Sequence, residues 1–349
     1  MRATTAVPIA MLALLALGPP TEAQSSLPVS LFERYLESLR KQTGIPGLSA
    51  AIVQDGTLAW EKGFGYQDVG GLVAATPDTP YEISDLSQTM SATLLLHRCV
   101  ERSHLDVSDQ VHRWDPNSVV DGSTVAQLLS STSASGDFQY DAAGFAALTP
   151  VIEQCAGGAF PKLVADDLLD PLGMSQSVPG ADLDDPLSPN RALFLSGTLS
   201  RYSDVLGRRA VPYRVDDQGR PTRSDVSGDA LDASTGMVST VRDLARFDVA
   251  LDDGILLDAA TRTSAWTRVG SAPMGLGWFV QDERGERIVW HFGLDRDASS
   301  SLVIKVPARR LTLILLANSD GLVGPPYDLS NGSLASNLFA SVFLSLFVA

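Results

Sequence analysis

The sequence predicts an α+β protein. One antiparallel sheet, formed by the N- and C-terminal segments and flanked by helices, receives an inserted, mainly helical domain. Two observations point there. Strand-like stretches gather at both ends of the chain, around the turns Asp55-Gly56 and Arg284-Gly285, while apolar residues at helical spacing dominate the middle. No internal repeat or low-complexity linker interrupts the 349 residues, and 44% hydrophobic content supports a sizeable core. The expected units are a leader at 1–23, a sheet unit at 24–84 plus 236–349, and the insertion at 85–235.

The leader reads as a secretory signal. Arg2 precedes the apolar run "AVPIAMLALLALG", and "PPTEAQSS" supplies a helix break with small residues around a cut near Ala23. Export is therefore expected, with no stable membrane insertion, because the run is short for a span. After it, "LFERYLESLRKQTG" has helical spacing and a glycine stop. "GLSAAIVQDGTLAWEKGFGYQD" then reads as a hairpin.

From Leu86 to about Val107 the pattern is helical, and "STVAQLLSS", "AAGFAALTPVIEQCAGG" and "FPKLVADDLLDPLGM" add three more helices. Residues 179–232 read as polar loops with a few short strands. "STVRDLARFDVALDDG" is a helix capped by Ser239 or Thr240. Two strand pairs follow, and the final "LASNLFASVFLSLFV" is a helix apolar on most sides, expected to pack on a sheet.

A net charge of -15 repels phosphate backbones and anionic lipid surfaces, so nucleic acid is not an expected partner. His97, His104, His112 and His291 lack a second ligand type at zinc-like spacing, so no metal and no cofactor is expected. Cys99 and Cys155 sit on separate apolar helical stretches. An oxidising compartment would allow them to pair, but two free buried thiols are the expectation.

The order of segments resembles the serine β-lactamase and penicillin-binding protein superfamily, in its class C-like branch, over nearly the whole mature chain. "YEISDLSQTMSATLLLHRCVERSHLDVSDQV" is similar to that family's Phe-x-Ile-Gly/Ala-Ser-x-x-Lys-Thr-Phe-Thr-Ala stretch and the turn after its helix. "VAQLLSSTSA", "GDFQYDAAGFAAL", "LLDPLGM", "STGMVSTVRDLARF", "GLGW" and "LTLILLANSDG" follow collinearly. The resemblance implies the β-lactamase/transpeptidase-like fold and acyl-transfer chemistry. In that chemistry a serine attacks a carbonyl, a lysine one helical turn later activates it, and a tyrosine assists proton transfer.

Here the serine position is Asp85, the lysine position Gln88 and the family's asparagine Ala142, while Tyr140 and the His291-Phe292-Gly293 element are kept. A serine without such a base is a poor nucleophile. The literal Ser38-x-x-Lys41 lies in the first amphipathic helix and reads as a solvated face. Asp85-Leu86-Ser87-Gln88 also has the form of a capping box, so a structural cap is the expected role of Asp85 and Gln88. Tyr140, His291 and Gly293 remain candidates for binding a cell-wall peptide or small acyl ligand. Asp295 and Arg296 follow on the same edge and read as solvated loop charges, with contact to a polar group as the alternative.

The expectation is thus an exported, catalytically inactive relative of the serine hydrolases with a binding cleft. An active hydrolase with a rebuilt site and a purely structural interaction module stay open as alternatives.

Overall fold

The structure is a computed structural model that describes residues 27–118, 120, 122–224, 230–324 and 326–348. The leader expected at 1–23 lies outside the described residues. Strands β1 (Gly47–Gln54), β2 (Thr57–Asp68) and β3 (Val73–Ala74) come first. The short strands β4 (Tyr81–Glu82), β5 (Val178–Pro179), β6 (Tyr213–Val215), β7 (Pro221–Arg223) and β8 (Met237–Ser239) follow. Then β9 (Phe279–Glu283), β10 (Glu286–Asp295), β11 (Ser299–Val306) and β12 (Leu311–Ala317) complete a seven-stranded sheet of order β3-β2-β1-β12-β11-β10-β9.

The two ends of the chain meet where β1 pairs antiparallel with β12, Leu48 opposite Ala317 and Gln54 opposite Leu311. Both expected turns close hairpins. Asp55 and Gly56 take positive φ between β1 and β2, as do Arg284 and Gly285 between β9 and β10. A two-residue loop with both φ positive matches the strand twist, which is why Asp-Gly is legible in sequence.

Helix α1 (Leu27–Gln42) opens the described chain. The middle carries α2 (Ser87–Leu95), α3 (Val125–Leu129), α4 (Ala142–Ala146), α5 (Leu148–Ala156), α6 (Phe160–Val164), α7 (Ser196–Leu206), α8 (Val241–Asp252) and α9 (Ala259–Ala265), and α10 (Leu338–Phe347) ends it. Both sheet faces are covered, so the central strands are apolar on both sides. On β12, Leu313 and Leu315 join Phe32 and Leu36 of α1 and Phe339 and Phe343 of α10 in one core. Ile314 and Leu316 alternate into a second core with α2, α5, α6 and α8. The final helix does pack on the sheet, as expected. Buried Lys305 on β11 holds α8 through Asp248 and Asp252, the latter at 3.0 Å.

Four expectations need correction. The helix expected to reach Val107 ends in a wide turn at Leu96–Val100, and His104 N–H already closes on the Cys99 carbonyl. "AAGFAALTPVIEQCAGG" splits into α4 and α5, since Pro150 lacks the N–H that would bond back to Ala146. Residues 179–232 hold α7, whose Tyr202, Val205 and Leu206 form a buried stripe diluted in sequence by serine and glycine. Finally, Cys99 and Cys155 form a disulfide rather than lying free. The wide turn packs against α5 and brings their Cα atoms to 6.0 Å, within bonding range.

No helix among the described residues is long and apolar enough to cross a membrane. The disulfide closes a loop across a separation of 56 residues. The Cys99→Ala/Cys155→Ala variant is therefore expected to lose about 2–4 kcal/mol of stability in urea melts relative to the oxidised protein. Equal midpoints would contradict the cross-link.

Candidate functional site

Asp85 is positioned by a turn built from three directions. β4 pairs with β8, and Ile83 N–H continues that ladder to the Met237 carbonyl at 3.0 Å. The chain then makes one 3₁₀ turn, Ser84–Leu86, and enters α2. From the sheet side, Ser301 Oγ donates to the Ile83 carbonyl at 2.8 Å, and Ser84 Oγ lies 3.0 Å from Ser299 Oγ. From within, Ser87 Oγ donates to the Ser84 carbonyl at 2.7 Å. These bonds hold Ser84 at φ 51, a left-handed conformation that costs a non-glycine residue about 1–2 kcal/mol. Such strain persists only where surroundings over-determine it, and it clusters at functional sites.

Gly293 makes this close approach feasible. A Cβ there would lie 2.0 Å from the Ile83 carbonyl oxygen and 2.5 Å from Ser301 Oγ. β9 pairs with β10 only as far as Trp290, so residues 291–295 offer their backbone edge to the turn. Gly293 was a candidate binding residue; in the structure it is the clearance that lets the turn dock on β10.

The turn brings Asp85, Gln88 and Tyr140 together. Gln88 Nε2 donates to the Tyr140 hydroxyl at 3.0 Å. That hydroxyl in turn hydrogen-bonds the Asp85 carboxyl, which also accepts from Leu294 N–H. The expected capping box is absent. Neither the Ser84–Leu86 turn nor α2 has a side-chain cap, because Asp85 and Gln88 are engaged across the site instead. The sequence did spell one real box, Thr124 with Gln127 on α3, where no tertiary partner competes.

Asp85 faces a recess of ≈ 210 Å³ lined by Glu82, Ser84, Asp85, Ala142 and Ala143, Ser234 to Gly236, Leu294 and Asp295. Ala142 is part of its wall. Asp295, read from sequence as a solvated charge, lines it too; the signal was its place two residues past Gly293 on the same strand. Burial raises the Asp85 carboxyl from its ordinary value, and the neighbouring Asp295 and Asp232 charges add to this. The Tyr140 and Leu294 hydrogen bonds work the other way, and the result is about 7. Burial first, and the Asp85 charge second, push the Tyr140 phenol well above its usual value, so Tyr140 is a hydrogen-bond donor at neutral pH.

His291 does not reach this recess, contrary to the expectation of ligand contact. It is fully buried, its Nδ1 donates to the Phe292 carbonyl at 2.7 Å, and its ring packs near Tyr140 and Phe279. Burial lowers it to about 4, so it is neutral. It braces Tyr140 from behind, with its Nε2 lacking a hydrogen-bond partner.

Among the described residues no lysine lines the recess beside Asp85. The chain has four lysines. Lys41 pairs with Glu37, Lys62 with Glu33, Lys162 with Asp166 and Lys305 with Asp248, all away from the recess. The Ser38-Lys41 pair lies on an exposed face of α1, as expected. Ser84, the hydroxyl nearest Asp85 in sequence, points to Ser299. Among the described residues no group of three or more histidine, cysteine or acidic side chains could hold a metal ion.

Known proteins are similar to this chain in sequence and fold. A family model described as Beta-lactamase matches residues 32–332. Penicillin-binding protein 4* of Bacillus subtilis (strain 168) is 24% identical over 337 residues, covering 79% of this chain and 72% of its own. Protein flp of Staphylococcus aureus (strain N315) is 32% identical over 107 residues, 29% of this chain and 21% of its own. Among solved structures, the octameric penicillin-binding protein homologue from Pyrococcus abyssi superposes with a TM-score of 0.70 at 20% identity, covering 91% of this chain and 77% of its own. The D-amino acid amidase from Ochrobactrum anthropi SV3, complexed with L-phenylalanine amide, gives 0.67 at 17% identity, covering 90% and 98%.

The Asp85 proton has a measurable consequence. The unfolded chain releases it near the ordinary 3.8, the folded protein only near 7. Its contribution to stability is therefore full below about 4 and is lost as pH rises through 7. Asp85→Asn should raise the melting temperature at pH 8 and gain little at pH 4. An equal difference at both pH values would contradict the assignment.

Proposed function

Since the chain belongs to the Beta-lactamase family, we propose that it is an exported member that has exchanged acyl transfer for binding. Its cleft would hold a cell-wall peptide or a small acyl ligand. One observation carries this reading. Asp85 stands at the serine position, hydrogen-bonded to Tyr140 and Leu294 N–H, and Gln88 stands at the lysine position with its amide on the same tyrosine. Attack by Asp85 on an amide would give a mixed anhydride, and Gln88 cannot relay a proton. The recess remains open beside it at ≈ 210 Å³, which supports this reading over that of a module with no cleft function. The expected leader supports export. A carboxyl that titrates near neutrality beside a tyrosine is also what a general acid requires. An active hydrolase with a rebuilt site is therefore the reading to test against.

The purified protein, incubated with a fluorescent penicillin and with p-nitrophenyl esters, should give no covalent label and no turnover above background. Hydrolysis abolished by Asp85→Ala or by Tyr140→Phe would overturn the non-catalytic reading. A muropeptide should bind in equilibrium dialysis and lose affinity on Tyr140→Ala; no binding at millimolar concentration would overturn the binding reading.

A further inference from the structure

The segment 140–144 borders a second recess. Ala142 and Ala143 line the recess beside Asp85, whereas Asp141 and Gly144 line a cup of ≈ 220 Å³ together with Gln139 and Ser131. The Cα atoms of Asp141 and Ala142 are about 3.8 Å apart, so one stretch of backbone divides the two openings. The cup is polar but hardly ionic. Asp141 carries the one charge in its lining, and serine and threonine hydroxyls and glutamine amides supply the rest, over an apolar floor at Leu128.

The walls of the cup are fixed before any ligand arrives. Ser131 has φ 49, held from several sides. Its N–H donates to the Leu128 carbonyl at 3.2 Å, its carbonyl accepts from Gln139 N–H at 2.9 Å, and its Oγ accepts from Asp141 N–H at 3.5 Å. Ser84 holds the same left-handed conformation at the first recess, and such strain gathers at functional sites. Gln127 is locked between Thr124 N–H, 2.8 Å from its Oε1, and the Ser133 carbonyl, 3.1 Å from its Nε2. Asp141 is different. It precedes α4 but makes no capping bond, and its Oδ2 would lie 2.5 Å from a Cβ at position 144, so Gly144 leaves the carboxylate room. Gln139 and Asp141 are both exposed, which puts their polar ends at the rim.

These groups fit a sugar better than an ion. No lysine, arginine or histidine lines the cup, so a carboxylate or phosphate meets the Asp141 charge without compensation. An ammonium brings donors alone and leaves the N–H and O–H donors of the cup unused. A sugar ring brings hydroxyls that both donate and accept, on adjacent carbons that a planar carboxylate or amide can bridge. The ≈ 220 Å³ lies below the about 300–1,000 Å³ of pockets for drug-sized ligands, which suits a single ring. We infer that the Gln139–Asp141 cup takes the sugar ring of a cell-wall fragment whose peptide occupies the recess beside Asp85. This inference rests on the binding reading above and adds a saccharide to the ligand. Asp141 accepts from two ring hydroxyls, and the Gln139 amide donates to one and accepts from another. No bond is made or broken.

The test is a backbone-amide NMR titration of the isotope-labelled protein at pH 7.5 with three probes. They are N,N′-diacetylchitobiose, a disaccharide muropeptide, and the same peptide without its sugar. The chitobiose should shift the amides of Ser131, Gln139 and Asp141 and leave that of Leu294 unmoved. The muropeptide should bind at least about fivefold tighter than the bare peptide, the gain that a few net hydrogen bonds provide. In Gln139→Ala and in Asp141→Ala that ratio should fall below about twofold as those bonds are lost. Both side chains are exposed, and amide shifts far from the cup report that the variants keep the fold. Equal binding of muropeptide and bare peptide, or chitobiose shifts absent from the cup, would overturn this inference and leave the binding reading intact. A gain that survives both substitutions would overturn it in the same way. Shifts at the cup with none at the Asp85 recess would uphold the sugar site and overturn the peptide reading. Silence from all three probes at millimolar concentration would overturn both.

Discussion

The site depends on one close approach, the turn Ile83–Asp85 lying against the free edge of β10. Only a glycine at 293 leaves room for the Ile83 carbonyl, and the serines of β11 hold that carbonyl and the Ser84 hydroxyl in place. The long pairing of β1 with β12, and of β12 with β11, brings residues more than two hundred positions apart into this contact. Once the turn is fixed, α2 leaves it in one direction only. Gln88 then arrives under Tyr140, and Asp85 at the mouth of the recess.

The resulting polar trio forms a coherent network. Tyr140 donates to Asp85 and accepts from Gln88, and buried His291 supports the ring on its far side. Asp85 is a carboxyl in a largely buried setting, with the charges of Asp295 and Asp232 near it. The carboxyl responds by holding its proton to about 7. Neutralising a group is less costly than burying it charged and facing like charges.

Much of the fold was legible because local and tertiary signals agree. Alternating apolar residues, Asp-Gly and Arg-Gly turns, and Thr240 at the start of α8 each have one physical solution, and the sheet follows from them. The site was legible only in part. Collinear motifs located Asp85, Gln88 and Tyr140, but the letters of Asp85-x-x-Gln88 also fit a helix cap. Sequence cannot weigh a local bond against a partner 52 residues away. Thr124 and Gln127 have no such competitor and do form the cap. His291 misled for a related reason. A motif position says which strand edge it occupies, while its burial under Phe279 and Tyr140 depends on packing from distant segments. Leu294 was missed because its role comes from a backbone edge, which leaves no mark in residue type.

The central claim is that Asp85 faces Tyr140 and Leu294 across the site and does not cap α2. It is tested most directly by following backbone amide shifts through a pH titration of the isotope-labelled protein. The Leu294 amide should titrate with a midpoint near 7, with the α2 amides at Gln88 and Thr89 silent and the Leu294 response lost in Asp85→Asn. A titration near 4 seen instead at the first amides of α2 would place the carboxylate at the helix end and contradict the account.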